Sequence, residues 1–202
     1  EKIANSNVFH SYYDIPLQHI SSNVLKIMKR GKGAEQLKDL MQHMKDQKDS
    51  FVRSTFIVGH PGETQENFEE LCSYLEEYKF DRVNVFSYSD EDGTGAYDLE
   101  DKVDQEIIDE RAEILGDIIS KVTIEKLESE VGKTFDVIVD GESSEHEYLL
   151  SARKLSWAPD IDGEIYINDN ELSEEIKTGI IYSATVTELS GDKLIAKIIK
   201  KV

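Results

Sequence analysis

The chain is short of cysteine, short of basic side chains, and free of long apolar runs. Cys72 is the single cysteine. No intrachain disulfide can form, and no iron–sulfur cluster can be held, since a cluster takes about four donors. A reducing, cytoplasmic setting is the expected one. No apolar run approaches the ~20 residues that cross a bilayer. No basic stretch followed by an apolar one opens the sequence, so neither a membrane span nor a secretion signal is expected. The five histidines include no pair at metal-ligand spacing, so no metal site is expected. Lys and Arg number 23 against 42 Asp and Glu, a formal net charge of −19. A surface this acidic repels phosphate backbones and disfavours nucleic acid as a partner. It attracts basic proteins and speeds their encounter, although solubility is the plainer consequence. The imbalance is uneven: residues 1–80 carry 10 basic and 12 acidic side chains, 81–130 carry 5 and 16, and 131–202 carry 8 and 14.

The first 131 residues alternate strand and helix signals. Residues 12–17 read as a short strand, and Ser21 or Ser22 then caps a helix bearing Val24, Ile27 and Met28 on one face. Leu37, Leu40, Met41 and Met44 mark a second helix. Residues 51–58 form a nearly continuous β-prone run, as a buried parallel strand does. After the Gly59–Gly62 turn, Thr64 caps a helix with the stripe Phe68, Leu71, Cys72, Leu75 and Tyr78. Cys72 on that stripe reads as a packed core thiol. Residues 83–88 give a third strand, and 105–130 a long helix ended by Gly132. Three βα units predict an α/β fold with a parallel sheet, part of a barrel that needs more strands than these. Such a partial barrel leaves a strand edge open to self-association. From 132 to 202 about five short strands, with turns at 140–141, 162–163 and 190–192, predict a small antiparallel β-barrel of OB-like type.

Candidate ligand-binding residues gather at the C-terminal ends of the three parallel strands, where α/β barrels build their sites. Gln18 offers an amide that donates and accepts at once, or one that merely satisfies loop backbone. Gly59 and Gly62 let backbone approach a flat ligand closely, or form a ligand-free turn. Arg30 could clamp a carboxylate, or be a cation favoured at a helix C-terminus. The third strand end contributes Phe86 and Tyr88.

These stretches resemble radical S-adenosylmethionine (SAM) methylthiotransferases. Asp14–His19 with Leu25, Met28, Lys29 and Arg30 is similar to their DIPLQH…MKR segment, and Arg53–Thr64 to RSTFIVGFPGET. Phe86, Tyr88, Ser89, Gly93 and Thr94 resemble FxYSxxxGT. Ala158–Gly163 resembles the APEIDG of the TRAM domain in the RimO branch. The resemblance implies the C-terminal half of a TIM-like radical SAM barrel over 1–131 and a TRAM domain over 132–202. It implies a parent enzyme with SAM and two four-iron four-sulfur clusters, whose cysteine ligands are absent from this chain. The parent would methylthiolate the β-carbon of an aspartate in protein twelve of the small ribosomal subunit. This chain alone would be inactive and would hold no catalytic residue. Its partner would be that basic protein. By the same resemblance Gln18 and Arg30 would contact the amino-acid or ribose part of SAM, and Thr55 would lie where some relatives place an acidic ligand contact. Gly59 belongs to the SAM turn, and Phe86 and Tyr88 would lie near the adenine. His60 departs from the family's Phe. A MiaB-like enzyme acting on transfer RNA and a non-enzymatic acidic binding module are the alternative readings. The acidic 132–202 segment argues against the first.

Overall fold

The computed structural model describes residues 2–3, 5–6, 8–31 and 33–202. They form two compact units, 1–122 and 123–202. Among the described residues no helix is long and apolar enough to cross a membrane.

The first unit holds a three-stranded parallel sheet in the order β1 (Tyr12–Asp14), β2 (Phe51–Val58), β3 (Arg82–Ser87). Between the strands run α1 (Ser22–Ile27), α2 (Ala34–Lys45) and α3 (Gln65–Tyr78), and α4 (Gln105–Glu128) follows β3. Alternation along β2 divides the sheet into two faces. Val52, Ser54, Phe56 and Val58 are buried, and Phe56 and Val58 pack with Met41 of α2, Phe68, Leu71 and Leu75 of α3, and Leu115 of α4 in one core. Arg53, Thr55 and Ile57 stand on the other face and are half-exposed. Register sets Asn84 beside Thr55, and Phe86 beside Ile57. Phe86 is 59% exposed. Parallel sheets are ordinarily covered on both faces; among the described residues this second face stays partly open, most of all at Phe86.

The chain leaves the sheet at Pro16, which has no N–H to give the ladder, and the Ser54 hydroxyl takes over there. It donates to Ile15 O at 2.8 Å and accepts from Leu17 N at 3.3 Å. Gln18 then re-enters as a parallel bridge to Phe56, its N–H on Thr55 O and its carbonyl accepting from Ile57 N.

Of the two serines expected to cap α1, Ser21 or Ser22, it is Ser21 that stands at the helix start. Ser21 holds the N-cap position, yet its side chain makes no capping bond; its hydroxyl accepts instead from the Asn67 amide at 2.9 Å. Cys72 packs against the core as a half-buried thiol, and burial pushes its pKa up to about 11. Below that pH the sulfur stays protonated and unreactive. Alkylation by iodoacetamide at pH 8 should therefore run about a hundredfold slower in the folded chain than in urea, where free-thiol behaviour near pKa ~8.5 returns. Equal rates in both solvents would contradict the packed-thiol assignment.

The second unit is a closed barrel of β4 (Thr134–Glu142), β5 (Leu150–Lys154), β6 (Ile165–Asn170), β8 (Lys193–Lys201) and β7 (Ile181–Ser190), in that order around the ring. The interior follows the two-residue period of its strands: Val137, Val139, Ala152, Ile165, Ile167, Ala184, Leu194, Ala196 and Ile198 are all buried. The barrel is not wholly antiparallel as expected, because β6 and β8 run parallel. The connection 171–180 makes this pairing necessary: it carries the chain past β6 to the far side of the ring, so the returning β8 enters alongside β6 in the same direction. Asp162 of the APDIDG loop is buried and accepts from Ala158 N at 2.7 Å, closing the loop on itself.

Candidate functional site

The turn after β2 is the centre of the site, and a network that crosses the first unit fixes it. Gly59 and Gly62 have φ of +81° and +83°, a region open to glycine at little cost. Glu63 N–H donates to His60 O, closing the turn, and Gly62 N–H donates to Asp101 O at 2.7 Å. The Glu63 carboxylate is buried. One oxygen accepts the Gly59 N–H at 3.0 Å, and the other takes Arg111 Nη1 at 2.6 Å. Arg111 is itself buried, donates also to Glu63 O and Gln65 Oε1, and lies over the Phe68 ring. His19 completes the group. Its Nδ1 accepts from Ser21 N at 2.9 Å, so the ring proton sits on Nε2, 3.4 Å from Glu63 Oε2.

Neither Glu63, Arg111 nor His19 is among the residues singled out from sequence as ligand contacts. A signal for Arg111 was present: it falls three residues after Ile108 and four before Leu115, on the apolar stripe of α4, where a cation needs a buried anion.

Thr64 starts α3 in a capping box, its hydroxyl accepting from Asn67 N and its N–H donating to Asn67 Oδ1. Thr64→Ala should lower stability by about 1 kcal/mol, read from urea unfolding. An unchanged midpoint would mean that solvent replaces the cap.

The loop after β3 is tied to the same turn at both ends. Tyr88 N–H donates to Val58 O at 2.8 Å, and Asp101 carries the Gly62 bond. Inside the loop Lys102 donates to the Asp90 carboxylate and to Ala96 O. Tyr88 Oη donates to Asp90 at 2.6 Å, and burial together with that carboxylate raises the phenol pKa. His60 stacks edge-on against Tyr88 with 5.2 Å between centroids. Its Nδ1 donates to Pro61 O at 2.9 Å. Burial lowers its pKa, outweighing the Pro61 carbonyl and Glu63. At neutral pH His60 is an uncharged ring that keeps its bond to the Pro61 carbonyl.

Gln18, Thr55, Gly59, Phe86 and Tyr88 therefore lie at adjoining strand ends, linked by the Gln18–Phe56 bridge, the Ile57–Phe86 register and the Tyr88–Val58 bond. Gln18 sits at φ +72°, an uncommon conformation for a side-chain-bearing residue and one enriched at binding sites. Arg30 is exposed just beyond the end of α1. The glycines have a different close neighbour from the flat ligand expected. A Cβ on Gly59 would meet Ile108 Cγ1 at 2.4 Å, and one on Gly62 would meet Ile27 Cδ1 at 2.7 Å. A cavity of about 420 Å³ lies beside α1, lined by Ser22, Leu25, Lys26, Lys29, Gly31 and Gly33.

Residues 1–75 match the radical SAM superfamily, and residues 131–199 match the TRAM domain. A protein of Aliarcobacter butzleri named ribosomal protein uS12 methylthiotransferase RimO is 68% identical over 99% of this chain and 45% of its own length. Proteins of the same name from Sulfurovum and Campylobacter jejuni are 53% and 44% identical over the whole chain, which covers 45% and 46% of them. The chain is therefore similar, over its whole length, to RimO-type radical SAM/TRAM proteins. It spans a little under half the length of these curated relatives.

The groups used by radical SAM chemistry fit this chain unequally. The amide of Gln18, the hydroxyl of Thr55 and the exposed Phe86 ring suit an adenosyl amino acid, which needs polar contacts at one end and an aromatic surface at the other. An iron–sulfur cluster does not fit this chain. Among the described residues no three His, Cys, Asp or Glu side chains are grouped to hold a metal, and the single thiol is held protonated by burial.

Proposed function

We propose that this chain is the C-terminal part of an enzyme that methylthiolates the β-carbon of an aspartate in protein twelve of the small ribosomal subunit, with domains at 1–131 and 132–202. In this reading SAM lies across the ends of β1, β2 and β3. The observation that supports it is the adjacency of Gln18, Thr55, Phe86 and Tyr88 along one end of the sheet. Gln18 and Thr55 hold the amino-acid and ribose end. Phe86 and Tyr88 face the adenine, Tyr88 steadied by Asp90 and His60. When bound to a cluster, SAM would supply the radical; this chain, with its single cysteine, would not hold that cluster by itself. The partly open second face of the sheet, with Phe86 exposed, is where the remaining strands of the barrel would enclose the reaction. The acidic second unit docks the basic protein substrate, an assignment favoured over RNA by its 14 acidic against 8 basic side chains over 131–202.

Reconstitution with iron, sulfide, reductant and SAM should yield 5′-deoxyadenosine from the parent enzyme and none from the 202-residue chain. In the parent, Gln18→Ala and Phe86→Ala should raise the KM for SAM by roughly tenfold with a smaller effect on kcat. Turnover by the isolated chain, or an unchanged KM in both variants, would sink the assignment. The 202-residue chain should also bind the basic ribosomal protein with an affinity that falls as salt rises.

A further inference from the structure

Two stretches of this acidic protein, residues 15–34 and 193–202, carry basic side chains and no acidic ones, and the first of them lines a cavity. Residues 15–34 contain Lys26, Lys29, Arg30 and Lys32 and no acidic side chain, in a chain of net charge −19. In much of the molecule cations are engaged by carboxylates: Lys38 by Glu35 and Glu70, Arg153 by Asp140, Lys197 by Asp169 and Glu171. Lys26, Lys29 and Arg30 are exposed, and no ion pair joins them to any of the described residues. With carboxylates in nearly twofold excess over cations, an unpaired group of this kind reflects local exclusion of acids.

The cavity of about 420 Å³ lies among these residues, and its size falls within the range of ligand sites, about 300–1,000 Å³. Its walls supply what a phosphate group needs. Lys26 and Lys29 bring two ammonium groups. The Ser22 hydroxyl accepts from Ala34 N at 3.1 Å, which leaves its own proton to donate. Gly31 and Gly33 present backbone with nothing within 4 Å of an added Cβ, so a ligand can approach closely. Placement near a helix C-terminus favours a cation, but it accounts neither for a cavity between two of them nor for the missing acids.

We propose that this pocket holds a backbone phosphate of RNA. The choice of RNA rests on the function proposed above: a ribosomal protein is presented among RNA, so a protein whose surface repels RNA needs one local foothold on it. A small basic pocket on a largely acidic surface gives a weak, orienting contact that leaves the basic protein as the main attraction.

The test is fluorescence anisotropy of the 202-residue chain with fluorescein-labelled oligouridine at low and moderate sodium chloride. Binding should appear at low salt, with a shallow log–log salt slope of about −0.7, the value for one neutralised phosphate on a single strand. Lys26→Glu with Lys29→Glu should weaken it by roughly tenfold or more, while Lys200→Glu with Lys201→Glu, an equal change of net charge, should leave it within about twofold. Circular dichroism of both variants confirms the fold. No binding at low salt overturns the proposal, as does equal weakening in the two variants, which would reflect bulk charge alone. A chain that binds RNA through Lys26 and Lys29 but fails to bind the basic ribosomal protein leaves the pocket standing and removes the proposed substrate.

Discussion

Arg111→Met is expected to lower the stability of the first unit by about 3–5 kcal/mol, the usual cost of stranding one member of a buried ion pair. The Glu63 carboxylate would keep its Gly59 N–H bond but lose the 2.6 Å contact that neutralises it, in a position closed to water. Glu63→Gln in the same background should restore much of the loss, since a neutral amide can still accept from Gly59 and needs no counter-charge. Urea unfolding of the four chains in a double-mutant cycle measures this. Additive losses would mean that the two side chains act independently and that the turn is held by its backbone bonds alone. Because Gly59, His60 and Glu63 sit between the ends of β1 and β3, the same cycle run in the parent enzyme should show SAM affinity falling with stability in Arg111→Met and recovering in the double variant.

Gly59→Ala should cost a comparable amount through unrelated physics. The backbone at φ +81° disfavours any L side chain by about 1–2 kcal/mol. The new methyl would also be driven against Ile108 Cγ1 at 2.4 Å, an overpacking that costs about 1–3 kcal/mol. The steric part can be separated from the conformational part. Ile108→Ala should destabilise the parent sequence but recover stability in the Gly59→Ala background, because there it removes a clash rather than a contact. If the second substitution worsens both backgrounds equally, the turn has shifted to make room and the packing account fails.

How far the fold could be read in advance depended on the range of the interactions. The βα series was legible because each strand and helix is marked within its own few residues: the continuous run of β2, the stripe of α3, the Thr64 cap. Five barrel strands were legible from alternation and turns, but the direction of β8 against β6 was not. Strand direction in a closed ring follows from where a connection delivers the chain, and no residue in 171–180 records that. At the candidate site the motif glycines were visible, while their purpose was not. The partners of Gly59 and Glu63 lie on α4, 48 residues beyond Glu63, and local pattern carries no information over that distance. Gln18 was marked as a candidate contact by its amide, but its bridge to Phe56, which follows Pro16 and the Ser54 hydroxyl of β2, was not legible.

The parallel seam between β6 and β8 has a consequence for how the second unit is made. The strand Lys193–Lys201 is bonded to β7 on one side and to β6 on the other, so it is the stave that shuts the ring. During synthesis the first four strands emerge as an unsealed sheet with two raw margins, and shielding of those margins waits until residue 201 has left the ribosome's tunnel. A stalled or clipped chain lacking that stave would present both margins together, which makes the last strand the point where synthesis, quality control and clumping of this module meet.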